Sequence, residues 1–303
     1  MATGCGLAAI LLWSLSIALV RSLAEQLGAV TAGAAVYCVS GVLALASLAW
    51  SRERRGLVCQ LPRRYIMVCG VLFIGYMLLL YLAIGMSKNH EQVLEVGLLN
   101  YLWPPLTLLL TVALLGKKAR WPLWPATLLA LAGIFLVLTQ SGHVSWLSLS
   151  TNLAGNPLVY AFGFAAAVAW ALYSILTRKW AGAHKAGAVT LFLPATAVML
   201  LAISFFVNEP RAWNTRSCIE VAFLGITTYV AYGFWDTAMR AGNVVVVAAS
   251  SYLTPFLSTV VCCLYLAVAP SPRFWVGCGM LIAGSLLSWL SIVEPKPPSG
   301  TDP

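Results

Sequence analysis

The sequence predicts an all-α integral membrane protein. Ten transmembrane helices form two inverted-topology repeats of five, with both termini in the cytoplasm. Three observations carry this. The 303-residue chain is 61% hydrophobic and 9% charged, whereas a soluble domain carries about 25% charged residues. Apolar runs of roughly 20 residues, the length that crosses a bilayer as a helix, recur from end to end. Identical residues also return at fixed offsets in the two halves. The runs lack the residue-by-residue alternation of a transmembrane β-barrel.

The helices are expected at 4–20, 28–50, 65–87, 92–115, 122–140, 157–177, 186–207, 217–239, 243–268 and 274–293. The first apolar run starts at Gly4 with no basic residue before it and no small-residue cleavage site after it. It therefore reads as a retained helix and not a signal peptide. The fourth helix carries Pro104 and Pro105 near its middle, and the ninth carries Pro255. Proline removes a backbone hydrogen bond and clashes with the preceding turn. In lipid such a break is tolerated where protein or a water-filled cavity covers the freed carbonyls. Matched broken helices in the two halves of a chain point to a transporter's substrate site.

The repeat is visible residue by residue. Gly6, Trp13, Leu19 and Arg21 meet identical residues 157 positions on, at Gly163, Trp170, Leu176 and Arg178. Farther along the offset is 151: Tyr101, Pro104, Trp124 and Gly133 meet Tyr252, Pro255, Trp275 and Gly284. Five helices per half is an odd number, so the second half inserts upside down relative to the first. The expected division is residues 1–142 for the first repeat, 143–156 for a linking loop and 157–293 for the second repeat. A Pro-rich, disordered cytoplasmic tail is expected over 294–303.

Orientation follows from lysine and arginine. With the N-terminus inside, 13 of the 18 basic residues fall in cytoplasmic connections, Arg52, Arg54, Arg64, Lys118 and Lys185 among them. Arg21, Lys88, Arg211, Arg216 and Arg273 fall outside. Basic loops facing anionic membrane lipid account for the net charge of +9, so no nucleic-acid partner is implied. The eight cysteines show no CxxC spacing and His90, His143 and His184 lie far apart, so no metal site or other cofactor is expected. There is no HExxH, GxSxG or Walker motif to indicate an enzyme. Ten helices in two halves also fit poorly with a ring-forming channel subunit.

The fourth helix places Val96, Asn100, Trp103 and Thr107 on one face, and the ninth places Val247, Ser251, Thr254 and Ser258 on the matching face. A polar stripe at mid-depth either lines a cavity or bonds between helices. The neighbouring prolines favour the cavity. Trp13, Trp170, Tyr76 and Tyr101 also fall near mid-span, away from the aromatic belts at the membrane surfaces. The candidate substrate-binding set is Trp13, Tyr76, Asn100, Tyr101, Trp103, Trp170, Ser251 and Tyr252. Acids in the spans are few. Glu95 reads as a solvated acid at a helix start. Asp236 and Arg240 stand at i,i+4 spacing, which suits an ion pair and leaves a coupling role as the alternative.

The duplicated five-helix halves, the short basic loops and the Trp13/Trp170 pair resemble the EamA-type, ten-helix branch of the drug/metabolite transporter superfamily. The segment Leu94–Pro105, LEVGLLNYLWPP, resembles the aromatic amino acid exporters of that family. The resemblance implies export of aromatic and related neutral amino acids through a central cavity, by alternating access, from a multi-pass protein of the bacterial inner membrane. A monomer is expected. With no titratable group at mid-depth, the expected transport is facilitative. A proton-coupled exporter of drugs or other small metabolites is the alternative reading.

Overall fold

A computed structural model describes residues 1–139, 146–182, 184–266 and 271–293. The first half contains α1 (Ala2–Leu27), α2 (Ala29–Trp50), a short α3 (Arg52–Cys59) and α4 (Gly70–Gly85), which opens on a π-helical turn at Tyr65–Cys69. Then follow α5 (His90–Asn100), α6 (Trp103–Leu115) and α7 (Leu123–Leu138). After α8 (Trp146–Gly155), the second half contains α9 (Pro157–Ala181), α10 (Val189–Ser204), α11 (Thr215–Ala241), α12 (Val244–Ser250), α13 (Thr254–Leu266) and α14 (Pro272–Leu290).

Seven helical segments are long and apolar enough to cross a membrane. They are Ala2–Leu27, Ala29–Trp50, Tyr65–Gly85, Glu91–Leu115, Pro157–Ala181, Thr215–Ala241 and Pro272–Leu290. Three shorter apolar helices, Leu123–Val137, Val189–Ser204 and Val244–Ser258, accompany them. The protein is thus a multi-pass membrane protein whose core is helix packed on helix.

The proline-marked breaks lie where the chemistry demands. Helix α5 ends at Asn100, and α6 begins at Trp103 with Pro104 and Pro105 in its first turn. In the second half a 3₁₀ turn at Ser251–Leu253 separates α12 from α13, and Pro255 again sits in the first turn of the new helix. Proline lacks an N–H, and the first helical turn has no use for one.

Helix pairs approach closely at small residues, and the approaches are reciprocal between the halves. A methyl group on Gly133 of α7 would come within 2.7 Å of the Gly277 carbonyl and 2.8 Å of the Leu281 nitrogen on α14. A methyl on Gly284 of α14 would come within 2.7 Å of the Ala126 carbonyl and the Ala130 nitrogen on α7. Shifting each partner by 151 converts one contact into the other. In the same way Gly6 lies against Val247, and Gly163 lies against Val96. Without a hydrophobic drive in lipid, close backbone approach at small residues is a main source of helix association.

Several expectations need correction. The linking loop contains α8 across most of 143–156; leucines at positions 147, 149 and 153 give it an apolar face, which a polar loop would lack. The amphipathic α3, which pairs arginines with Leu57 and Val58, was expected as loop. One short extended pair accompanies the helices: Lys118–Ala119 (β1) pairs antiparallel with Ile292–Val293 (β2). This ties the connection before α7 to the chain after α14. The expected tail at 294–303 and His143 lie outside the described residues.

Candidate functional site

Five helices bring aromatic rings to one place. Trp13 comes from α1, Phe73 and Tyr76 from α4, Trp103 from α6, Trp170 and Tyr173 from α9, and Tyr232 and Trp235 from α11. Trp13 meets Trp170 edge-on at a centroid distance of 5.8 Å, and lies 5.2 Å from Trp235 and 5.4 Å from Tyr232. Trp103 stands nearly perpendicular to both Trp170 (6.3 Å) and Trp235 (5.4 Å). Tyr76 lies 4.8 Å from Trp170, and Trp235 stacks on Trp170 at 5.8 Å. Edge-to-face and offset pairs of this kind each contribute about 0.5–1.5 kcal/mol beyond the area they bury.

Polar atoms within this cluster differ in how they are satisfied. Trp235 Nε1 donates to Ser174 Oγ (3.2 Å), and the Tyr37 hydroxyl donates to that of Tyr232 (3.1 Å). The side-chain amide of Asn100 interacts with the Tyr76 hydroxyl. By contrast, Trp13 Nε1 and Asn100 Oδ1 are buried with no hydrogen-bond partner. Each such buried polar atom costs about 1–3 kcal/mol. One is a donor and the other an acceptor.

Two cavities lie toward opposite ends of α2 and α11, and one of them reaches the cluster. One, of about 150 Å³, is lined by Trp13, Tyr37, Tyr81 and Tyr232 together with the N-terminal half of α2 and Leu224, Thr227 and Thr228 of α11. No charged side chain lines it. The other, of about 520 Å³, lies at the end that carries α3, between α3, the start of α10 and the C-terminal half of α11. The rings themselves are closely packed: Trp170 is 2% and Trp235 0% exposed. No open space separates these rings, and the smaller cavity ends against Trp13 and Tyr232.

The structure divides the predicted set. Trp13, Tyr76, Asn100, Trp103 and Trp170 converge. Tyr101, Ser251 and Tyr252 do not join them. Tyr101 and Tyr252 pack with Phe274, Ala130 and Ile134 in a second cluster against α7 and α14. Ser251 donates back to the Val247 carbonyl at 2.8 Å. The breaks explain the split: within each broken turn, residues only one or two places apart point to opposite sides, so continuous helical spacing misplaces them.

The acids are fully engaged. Arg240 Nε donates to Asp236 Oδ2 at 2.8 Å, both side chains being buried. The Tyr65 hydroxyl donates to Asp236 Oδ1 (3.2 Å) and accepts from the Ala188 nitrogen (3.2 Å). Glu95 is not a solvated acid but fully buried. It accepts from Ser148 Oγ (2.9 Å) and Asn152 Nδ2 (3.2 Å), both on α8, and from the Tyr160 hydroxyl. Helix α8 supplies the cover that removes it from water.

Sequence reasoning missed Trp235, Phe73 and Tyr173. Trp235 has no tryptophan counterpart at either offset, since Leu78 and Ile84 stand there. The available signal was its helical spacing: Tyr232 and Trp235, three apart, share one face of α11.

Comparison with known proteins gives a consistent picture. The EamA-like transporter family matches the chain twice, over residues 2–139 and 157–290. The aromatic amino acid exporter YddG of Escherichia coli is 35% identical over 291 residues, covering 96% of this chain and 97% of that protein. The protein of the same name from Ancylobacter novellus is 29% identical, covering 95% and 97%. A solved crystal structure of a 28% identical protein superposes with a TM-score of 0.78, covering 95% of this chain and 97% of that one.

Proposed function

The chain belongs to the EamA-like transporter family and is a membrane transporter, not an enzyme; from that premise we propose that it exports aromatic and related neutral amino acids across a bacterial inner membrane. The observation that carries this reading is the tryptophan cluster with buried, unpartnered polar atoms in it, Trp13 Nε1 and Asn100 Oδ1 among them. An α-amino acid brings a carboxylate, an ammonium and a side chain. Trp13 Nε1–H can donate to the carboxylate, Asn100 Oδ1 can accept from the ammonium, and the rings can stack with an aromatic side chain. The neutral lining of the smaller cavity suits a zwitterion with no net charge.

Transport proceeds by alternating access. The smaller cavity reaches the aromatic cluster at Trp13 and Tyr232, the larger one lies toward the other end of α11, and the Tyr37–Tyr232 hydrogen bond and the packed indoles stand on the route between them. At about 150 Å³ the smaller one lies below the roughly 300–1,000 Å³ of a ligand pocket, so substrate must part the rings. Movement of the two halves against each other does this. Ten crossings in two inverted repeats suit such a motion: the contact Gly133 makes with Gly277 is mirrored by that of Gly284 with Ala126, and that of Gly6 with Val247 by that of Gly163 with Val96, as expected of two halves related by a twofold axis. Each of the three shorter apolar helices has a long counterpart in the other half. Both termini lie in the cytoplasm, and one chain suffices.

The cycle is facilitative. A proton carrier needs an acid that is free to exchange at mid-depth, whereas Asp236 and Glu95 are each held by several donors. Uptake by purified protein in liposomes tests the substrate class. Saturable transport of phenylalanine, tyrosine and tryptophan, stronger than that of glycine or alanine, is expected. Transport that favours small aliphatic substrates would overturn the assignment.

A further inference from the structure

The larger cavity, of about 520 Å³, is made differently from the smaller one. Arg54 of α3 reaches into it and donates through one nitrogen to the Tyr229 hydroxyl (3.2 Å), leaving its other donors unused. Lys185 lines it without a hydrogen bond or ion pair among the described residues. The Thr190 hydroxyl is buried there without a partner. Two acids also line the wall. Asp236 is neutralised by Arg240, which leaves Glu53 against Arg54 and Lys185, neither of which has an ion pair among the described residues.

The apolar side of this cavity is equally specific. Val230 and Phe234 of α11 line it, and Phe234 is exposed. On the same face of the helix follow Ile226, Phe223 and Ile219, all more than half exposed. In a membrane protein such a face lies against hydrocarbon. A cationic cavity thus opens directly onto a lipid-facing stripe, at the end of the molecule marked by the arginines of α3 and by Trp50, which is 94% exposed. Basic pockets between helices on the cytoplasmic side hold lipid headgroups.

We infer that this cavity binds an anionic phospholipid, its phosphodiester held by Arg54, Lys185 and Thr190 and its acyl chains laid along Phe234, Ile226 and Phe223. A second anion source, free phosphate, would use the same cations but not the stripe. Binding there is independent of which amino acid is carried.

Native mass spectrometry of the full-length protein in detergent tests this, with phosphatidylglycerol and phosphatidylcholine as probes. The protein should retain one phosphatidylglycerol in preference to phosphatidylcholine. Arg54→Gln with Lys185→Gln should weaken that retention roughly 10- to 30-fold, on the scale expected for two basic contacts. Arg52→Gln with Arg63→Gln removes the same charge outside the cavity and should leave it unchanged. Arg54→Lys should restore part of the loss in the double variant. Equal losses in both double variants would reduce the effect to general basic attraction and overturn the site. Displacement by inorganic phosphate at equal concentration would assign a free anion, and displacement by phenylalanine a substrate vestibule; either overturns the lipid. Ile226→Asn, which alters the stripe alone, should weaken lipid binding, and an unchanged affinity would remove the acyl contact. Melting curves of each variant separate misfolding from lost binding.

Discussion

Trp13 and Trp170 occupy the same position in the two halves of the chain, 157 residues apart, and their indoles touch edge-on at 5.8 Å with an interplanar angle of 74°. Residues equivalent by repeat can meet only beside the axis that relates the halves. In the proposed cycle the tryptophan pair sits where the two halves part to let substrate pass. An aromatic substrate can replace the ring contacts it breaks.

Replacing Trp13 or Trp170 by alanine should lower transport of aromatic amino acids by roughly five- to tenfold, the loss of about 1–1.5 kcal/mol of ring interaction. Transport of small aliphatic substrates should fall less. Trp124→Ala is the control, because Trp124 is 61% exposed at a span end. Initial rates in liposomes at matched protein levels provide the comparison. Equal losses for every substrate would indicate packing alone.

The sidedness rests on 13 of 18 basic residues falling on one side. A cysteine at Lys118, which is exposed in β1, should react with a membrane-permeant maleimide and resist an impermeant one in intact cells. Its pairing with Val293 places the residues just after α14 on the same side. Labelling from outside would invert the topology.

Gly133→Ala and Gly284→Ala should each destabilise the protein by about 1–3 kcal/mol, because the added methyl meets backbone atoms that cannot yield. Gly279→Ala, with nothing within 4 Å, should be neutral or slightly stabilising. Thermal unfolding in detergent measures both. If all three variants melt alike, the reciprocal helix contact is not a source of stability.

Asp236→Asn should leave Arg240 buried without its counter-charge, at a cost of about 3–5 kcal/mol. The expected phenotype is low membrane abundance with transport per molecule, and its dependence on pH, little changed. Normal abundance with an altered pH profile would make Asp236 a coupling residue.

Some of this was legible in the sequence for a physical reason. Trp13, Trp170 and the proline-marked breaks are duplicated, and duplication separates them from the many apolar residues around them. Asn100 and Trp103 flank the break at Tyr101–Leu102 and come together with Trp13 and Trp170. Tyr101, Ser251 and Tyr252 do not join them, since a break resets helical rotation by an amount that spacing does not encode. The burial of Glu95 depends on Ser148 and Asn152, more than 50 residues downstream, and no local pattern reports such cover. Trp235 went unnoticed because it lacks a counterpart in the first half.

The central claim is facilitated passage of aromatic amino acids past the Trp13–Trp170 pair, and counterflow in proteoliposomes tests it most directly. Vesicles loaded with unlabelled phenylalanine should accumulate labelled phenylalanine from a dilute bath with no pH gradient or membrane potential, and the Trp170→Ala protein should do so far more slowly. A wild-type protein that exchanges nothing until a proton gradient is imposed would contradict the account.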